Sequence, residues 1–304
     1  MTSTSISAAR SGLYAGLGAY VIWGLMPVFI KLLQGVAPED VLAHRVLWSA
    51  VVMAAACIVT RRGAAILNVL RTPKLLGWLL LSAAAIGVNW YLYTWAVLSA
   101  RVLDTSVGYF IQPLFNTLFG VVLLRERLNR WQVLALALAG IAIAILVIRQ
   151  GGLPVVALGL PLAFSLYSLA RNRAETDAVT GLFVETVLLA PIAIWWLATT
   201  PPGILGEPTG IMLILMSAGI VTSVPLALFG HAARRLSLTL LGFMQYIAPT
   251  IVFLLGVFVY AEPMEPVRFA AFLFIWAGLA AFTFGEVRQR RRRRREAADL
   301  SPAP

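Results

Sequence analysis

The sequence predicts an all-α integral membrane protein whose ten transmembrane helices form two inverted five-helix repeats. Three observations support this fold class: the composition, the number of apolar segments and a pattern that occurs twice. The chain of 304 residues is 60% hydrophobic and only 12% charged, and its mean hydropathy is +0.87. A soluble domain needs more polar residues to cover its surface, so this composition excludes an ordinary soluble protein.

The apolar segments have the length that a bilayer requires. A hydrocarbon core about 30 Å thick needs about 20 apolar residues per helix. On this measure the spans are 12–33, 40–60, 75–98, 103–124, 131–149, 153–170, 179–198, 210–230, 238–260 and 267–285. Short breaks with proline, glycine or arginine separate them, and the weakest break surrounds Arg101. The first span is too long for a signal peptide, and we expect it to remain as a helix.

One pattern recurs in the two halves at a constant offset of 136 residues. The matching landmarks are Pro113 with Pro249, Gly120 with Gly256, and Glu126 with Glu262. A single occurrence would be weak evidence, but its recurrence at corresponding points of two apolar halves is typical of a duplicated transporter. We therefore predict a repeat at 12–149 and a second at 153–285, between an N-terminal segment, 1–11, and a basic tail, 286–304.

The arginines and lysines predict the orientation. With the N-terminus in the cytoplasm, 19 of these residues fall in inside segments and four in outside segments, with Arg45 within the membrane. The positive-inside rule selects this topology, with both termini cytoplasmic. Because each half has an odd number of spans, the second half enters the membrane in the opposite sense, and the repeats are inverted.

Polar side chains in the fourth and ninth spans are candidate substrate ligands. Tyr109, Gln112 and Asn116 share one helical face, and Gln112 lies about 14 Å along its helix, near the bilayer centre. Gln245 lies at a similar depth, and it is followed by Tyr246. A buried amide needs a partner or water, which favours a central cavity. Helix packing is the alternative, since amides also join helices in lipid.

Other spans contribute aromatic and amide side chains to the predicted cavity. These are Trp23 in the first span and Asn89 and Trp90 in the third. Flat apolar surfaces with a few amides suit small organic molecules. Each ring is also compatible with a place in an interfacial belt or in the bundle core.

Three ionisable residues within spans are candidates for gating or coupling: His44, Arg45 and Glu185. Ions inside a membrane are costly and commonly functional. Structural or gating salt bridges and contact with substrate or protons are both open interpretations. A direct pair of Arg45 with Glu185 is not expected, because they lie about 10 Å apart along the membrane normal. We expect local partners, which are Glu39 or Asp40 for Arg45 and Arg171 or Arg173 for Glu185.

Motifs of catalysis and energy coupling are missing from the sequence. It has no phosphate-binding GxxxxGK[ST] loop, no HExxH or GxSxG motif, one cysteine and two histidines. We therefore expect no enzyme, no cofactor and no metal site. The net charge of +11 is mostly an orientation and surface signal, and the tail contributes seven of the arginines. We expect this tail to be a disordered topology anchor that is also suited to anionic lipid, and we expect no nucleic-acid partner.

Several segments taken together resemble a known family. They are AYVIWGLMPVFIKLL, EDVLAHRVLWS, VNWYLYTWAV, SVGYFIQPLFNTLFGVVLLRERL, ALGLPLAFSLYSLARN, TGLFVETVLLAP and AGIVTSVPLALFGHAARRLSLTLLGFMQYIAPT. This set is similar to the RarD branch of the EamA transporters, in the drug/metabolite transporter superfamily, whose members are often labelled chloramphenicol-sensitive proteins. The resemblance implies two repeats of this family, a bacterial inner-membrane location and the movement of small organic molecules.

These observations together predict a secondary permease or exporter that works by alternating access, with a small organic substrate and proton coupling as an open alternative. A flippase for lipid-linked substrates on the same scaffold is the first rival. A polytopic membrane enzyme and a receptor are weaker rivals, since the sequence shows no clustered nucleophile or acid pair and only the basic tail suggests a binding partner.

Overall fold

The computed structural model describes residues 3–299 apart from 125–127, 204–205, 234 and 237. The described residues form helices joined by short loops, and no strand occurs among them. This confirms the predicted all-α membrane class.

Seven helices belong to the first half of the chain. They are α1 (Ser3–Gly24), α2 (Met26–Lys31), α3 (Pro38–Val59), α4 (Gly63–Arg71), α5 (Pro73–Leu98), α6 (Val102–Leu124) and α7 (Arg130–Gln150).

The second half contains six helices and a π-helical turn. They are α8 (Val155–Ala174), α9 (Ala178–Thr199), α10 (Thr209–Ala233), α11 (Leu238–Met244), α12 (Ile247–Leu254), the π turn Leu255–Val259 and α13 (Pro266–Asp299).

Eight of the predicted spans correspond to helices, in the described residues, that are long and apolar enough to cross a membrane. The fourth predicted span is one continuous helix, α6, of 23 residues. The ninth is interrupted, and its longest apolar piece, Ile247–Val259, is shorter than a span. The count of ten therefore stays a prediction, while the multi-pass class is clear.

A proline follows each of the interruptions in the first and ninth spans. Pro27 and Pro249 have no backbone N–H, so the carbonyl four residues earlier in each span loses its helical donor. The chain turns at Leu25 between α1 and α2, and at Gln245 and Tyr246 between α11 and α12.

Side chains at the loops fix where helices begin. The Asn129 side chain accepts hydrogen bonds from the backbone N–H groups of Trp131 and Gln132, and the Gln132 side chain accepts one from the Asn129 backbone N–H. This capping box satisfies N–H groups that have no partner in the first turn of α7. Asp177 caps α9 in the same way, accepting from Val179 and Thr180 at 3.1 Å each. These loops therefore set the register of α7 and α9.

The helices divide into two compact units that differ from the two sequence repeats. The first unit comprises Met1–Ser106 and Leu166–Glu262, and the second comprises Val107–Ser165 and Pro263–Pro304. Each unit draws on both halves of the chain. The predicted repeat boundaries describe homology within the sequence, and they remain a prediction.

In the first unit, α3 is the central helix and packs against α5, α9 and α10, while α1 packs against α10 and α12. The contact of α3 with α10 is close because Gly219 faces the backbone of Trp48. A Cβ at Gly219 would lie 2.4 Å from the Trp48 carbonyl oxygen. The glycine thus lets α10 approach α3 closely enough for their polar side chains to meet.

In the second unit, α7 and α13 pack as an antiparallel pair. Trp131 and Phe284 meet at one end with ring centroids 4.8 Å apart, and Arg149 binds Glu265 through two hydrogen bonds at the other. Helix α13 continues to Asp299, so the prediction of a disordered tail is wrong for the described part. Arginine, glutamate and alanine are good helix formers, which accounts for the continuation.

Candidate functional site

A buried cation lies within the first unit. Helix α3 begins at Pro38, so Arg45 is seven residues, or about 10 Å, from its start. Its Nε donates a hydrogen bond to Thr222 Oγ1 on α10 at 3.0 Å, and its guanidinium carbon lies 4.4 Å from the centre of the Trp90 ring on α5. Arg45 and Trp90 are only 8% and 6% exposed. We call Arg45, Trp90 and Thr222 the arginine cluster.

The carboxylates at the start of α3 accept hydrogen bonds from neighbouring helices. Glu39 accepts from the Tyr91 hydroxyl, and Asp40 accepts from the indole N–H of Trp196, each at 2.8 Å. The sequence predicted these residues as partners of Arg45. The structure instead shows Glu39 joined to α5 and Asp40 joined to α9, so the start of α3 is fixed on two sides.

Several buried polar groups on α3, α5 and α10 have no hydrogen-bond partner among the described residues. On α3 they are both ring nitrogens of His44, the indole N–H of Trp48 and the hydroxyl of Ser49. Thr94 on α5 and Ser223 on α10 are in the same state. Each such group costs about 1–3 kcal/mol when buried unpaired. Helices α5 and α10 both pack on α3, and these groups are available for hydrogen bonds to water or to a polar ligand.

A buried anion lies elsewhere in the same unit. Glu185 on α9 is 0% exposed. Its Oε1 accepts a hydrogen bond from the Ser82 hydroxyl at 2.5 Å and lies 3.5 Å from Arg171 Nε, whereas its Oε2 has no partner in the described chain. We call Glu185, Arg171 and Ser82 the glutamate cluster. The predicted local partner Arg171 is thereby confirmed, and Arg173 is exposed.

Local structure directs Arg171 towards Glu185. Its Nη1 also donates to the Thr176 hydroxyl at 2.8 Å. A Cβ at Gly181 would lie 1.5 Å from this same Nη1, so glycine leaves the space that the guanidinium occupies. Beside it, partial burial works against ionisation of Asp177, but hydrogen bonds from Thr180 and the charge of Arg62 hold the pKa of Asp177 below its usual value.

The two clusters are separate. Helix α5 contributes Ser82 to one and Trp90 to the other, and eight residues of helix correspond to about 12 Å. This spacing agrees with the expectation that Arg45 and Glu185 do not pair directly. Asn89, which is 2% exposed, adjoins Trp90 in the chain.

Other predicted cavity residues of the first unit lie beside helix breaks. Trp23 is half-buried and contacts Tyr20 and Phe229, with ring centroids 5.4 and 5.8 Å away. Gln245 and Tyr246 are half-buried in the break between α11 and α12. A substrate role for these residues stays a prediction.

Three predicted cavity residues belong to α6 in the second unit. Tyr109 lies edge-on to Phe164 with ring centroids 6.5 Å apart. Gln112 is half-buried and Asn116 is exposed. Pro113 removes the helical donor to the Tyr109 carbonyl, as Pro27 and Pro249 do for Trp23 and Gln245. Three of the candidates thus carry a carbonyl that has lost its helical partner.

The structure describes contacts or burial for several of the repeated landmark residues. Pro249 is buried and its carbonyl accepts a hydrogen bond from Ser106 at 2.9 Å, and Pro113 is buried inside α6. Gly256 lies against Leu103, where a Cβ would be 2.6 Å from the leucine side chain. Gly120 lies in α6, and Glu126 lies outside the described residues.

Glu262 caps helix α6. Its carboxylate is 7% exposed and accepts hydrogen bonds from the backbone N–H groups of Val102 and Leu103 at 2.6 and 2.9 Å. An anion at a helix N-terminus is stabilised by the free N–H groups and the helix dipole. The repeat pattern marked Glu262 but did not predict this contact, since its partners are about 160 residues away in the chain.

Comparisons with known proteins agree with this architecture. The model of the EamA-like transporter family matches residues 10–148, the region of the first predicted repeat. The chain is 41% identical to Protein RarD of Salmonella typhimurium, over 93% of this chain and 98% of that protein. It is 40% identical to an uncharacterized transporter of Vibrio cholerae, over 90% and 92%.

A solved structure supports the fold alone. A crystal structure that is 20% identical covers 90% of this chain and 98% of its own, with a TM-score of 0.59. Identity of about 40% over nearly the whole length of the relatives is the stronger finding, and it shows that this chain belongs to the EamA-like transporter family, in its RarD branch.

Proposed function

We propose that this membrane transporter is a secondary carrier that moves small organic metabolites or drug-like molecules across the bacterial inner membrane by alternating access. The observation that carries the proposal is that Arg45 and Glu185, two opposite charges, are buried within one helical unit. Ions inside a membrane protein are costly, and they commonly mark substrate or proton pathways.

The arginine cluster supplies features that suit an organic substrate. A guanidinium and an indole face offer charge and a flat apolar surface. The nearby helices carry hydroxyls at Ser49, Thr94 and Ser223 that have no hydrogen-bond partner among the described residues. Sites for small molecules combine apolar walls with a few directed polar groups. A bound substrate would supply the hydrogen-bond partners that these hydroxyls lack among the described residues.

The glutamate cluster supplies a group suited to proton coupling. One oxygen of Glu185 is engaged by Ser82 and Arg171, and the other is open to a proton. Protonation neutralises the carboxylate and weakens its attraction for Arg171, whose guanidinium also has a partner in the loop, Thr176. Glu185 would then bias the equilibrium between two states of the carrier, and His44 and Arg45 on α3 would belong to the gate.

The inverted repeats supply the two states. Two similar repeats of opposite orientation would allow one conformation open to each side of the membrane. The distribution of arginine and lysine supports cytoplasmic termini, so that an exporter would load from the side with the basic tail.

Transport in proteoliposomes tests this proposal. Purified protein is reconstituted and assayed against a panel of metabolites, with and without a pH gradient. We expect the wild-type protein to respond to the gradient and the Glu185→Gln variant to lose that response. Glu175→Gln, which changes an exposed carboxylate in the adjacent loop, is the matched control and should behave as wild type.

Two outcomes would overturn parts of the proposal. If Glu185→Gln leaves the rate, its pH dependence and the stability unchanged, the coupling role is wrong. If the vesicles move labelled lipids and none of the metabolites, a flippase replaces the metabolite carrier.

A further inference from the structure

Helix α4 is too short to cross the membrane. Its nine residues, Gly63–Arg71, span about 14 Å, against about 30 Å for the hydrocarbon core. It follows the end of α3 after three residues and is separated from the start of α5 by Thr72 alone. It therefore lies at the membrane face where α3 ends and α5 begins.

One side of α4 is fixed to the first unit. Val69 is 1% exposed and packs in a cluster with Leu79, Ala174 and Val184. These three partners come from α5, α8 and α9, so α4 is held on the bundle by three helices. These contacts therefore fix the rotation of α4 about its own axis.

Another side of α4 is apolar and exposed. Leu67 and Leu70 are 45% and 57% exposed, and a spacing of three residues places them on one helical face. This face is rotated by about 100° or more from Val69, so the two leucines are not part of the core. Asn68, two residues from Leu70, lies on the opposite side of the helix.

Positive charges surround this apolar face. The segment from Arg61 to Lys74 contains four arginine or lysine residues and no aspartate or glutamate. Arg62 pairs with Asp177 at 3.6 Å, whereas Arg61, Arg71 and Lys74 are exposed. A short helix with exposed leucines flanked by cations has the character of an in-plane interfacial helix.

The cavity on the inner side of α4 does not suit an anion. It measures about 290 Å³, and Glu175 and Asp177 line it together with Asn68 and Thr176. Its carboxylates would repel a phosphate, so charge complementarity directs an anionic head group to the outer side with Arg61, Arg71 and Lys74.

We propose that α4 lies in the membrane interface, with Leu67 and Leu70 among the acyl chains, and that Arg61, Arg71 and Lys74 bind the head groups of anionic phospholipids. This site is distinct from the basic tail and does not depend on the transport mechanism. Anionic lipid attracts juxtamembrane cations strongly, so the lipid class is set by charge.

Depth measurements test the placement of α4. In a Cys57→Ala background, which removes the only cysteine, single spin labels are attached at Leu67→Cys, Leu70→Cys and Asn68→Cys. The protein is placed in vesicles of phosphatidylcholine and phosphatidylglycerol. We expect the labels at 67 and 70 to be relaxed by oxygen and the label at 68 by a water-soluble nickel chelate. Preferential relaxation of all three by the nickel chelate would overturn the proposal.

Lipid selectivity tests the head-group site and needs no cysteine variant. The otherwise unchanged protein carries Arg61→Gln, Arg71→Gln and Lys74→Gln together, and its binding of spin-labelled phosphatidylglycerol is compared with that of phosphatidylcholine. The matched control removes three cations elsewhere with Lys31→Gln, Arg101→Gln and Arg268→Gln. We expect the preference for phosphatidylglycerol to fall about five-fold or more in the first variant and to persist in the control. An equal fall in both variants, or in neither, overturns the proposal.

Discussion

The arginine cluster and the glutamate cluster place opposite charges in the same helical unit, but they hold them differently. Arg45 lies over the Trp90 ring and donates to Thr222, so its charge rests on a polarisable surface and a hydroxyl. Glu185 faces Arg171 and accepts from Ser82, so its charge is met by an opposite charge from the last turn of α8. The first arrangement fixes a cation between helices, while the second depends on a partner that is able to leave.

This difference assigns distinct capacities to the two clusters. Because Arg45 contacts Trp90 on α5 and Thr222 on α10, it links those two helices. We expect this link to persist with and without bound substrate. The guanidinium of Arg171 is held by the Thr176 hydroxyl and occupies the space that Gly181 leaves free. We therefore expect the pairing of Glu185 with Arg171 to respond to protonation of Glu185 and to movement of the loop that carries Thr176. Because Glu185 is fully buried and its partner carries an opposite charge, we expect changes to the glutamate cluster to have larger effects on stability than matched changes to the arginine cluster.

Arg171→Met gives the strongest test of this comparison. It keeps an apolar stem but removes the charge beside the fully buried Glu185. Removing one partner of a buried pair costs about 3–5 kcal/mol, because the other charge is left uncompensated. We expect this loss in the free energy of unfolding, measured in detergent by titration with sodium dodecyl sulfate. The loss should shrink at low pH, where Glu185 is neutral.

Two further variants control this measurement. Arg173→Met removes an exposed arginine from the same helix and should change the stability little. Combining Arg171→Met with Glu185→Leu should recover most of the loss, because no buried charge then remains in the glutamate cluster. If Arg171→Met and Arg173→Met are equally mild, the pair does not stabilise the fold and the comparison fails.

Trp90→Leu tests the arginine cluster. Losing the buried cation–π contact costs about 2 kcal/mol, and the smaller apolar side chain adds about 1 kcal/mol. Trp95 on the same helix provides a matched control, because Arg101 lies 5.1 Å from its ring centre and is exposed. For Trp95→Leu we expect a smaller cation–π loss of about 0.5–1 kcal/mol. The reverse order in unfolding measurements would show that Arg45 is not stabilised by the ring.

The sequence was informative where the cause of structure is local. Apolar length predicted most spans, although the first and ninth were predicted as uninterrupted and the structure breaks both of them. Arg171 was identified as a partner of Glu185 because the end of α8 and the start of α9 are joined by a short loop. In each case the residues that decide the structure are neighbours in the chain.

Contacts between distant helices were not predictable in the same way. Trp90 and Thr222 reach Arg45 only because of how α5 and α10 rotate about their axes, and packing across the whole unit fixes that rotation. Ser82 is a lone hydroxyl in an apolar run, and no pattern indicated its partner. Glu262 was marked by the repeat, yet its role as a cap depends on where α6 begins.

Removing one hydroxyl from each cluster is the mildest and most direct comparison. Ser82→Ala deletes a donor 2.5 Å from Glu185, and Thr222→Val deletes an acceptor 3.0 Å from Arg45. A hydrogen bond to a charged group contributes about 1.5 kcal/mol at the lower end of its range, which applies here because each ion keeps another partner. The shorter bond to a carboxylate is the stronger type, so Ser82→Ala should lower the stability more than Thr222→Val.

In the Arg171→Met background the cost of Ser82→Ala should rise further, since Ser82 is then the remaining partner of Glu185 within the glutamate cluster. An unchanged cost in that background would mean that the serine and the arginine stabilise Glu185 independently, and the view of one cooperative cluster would be wrong.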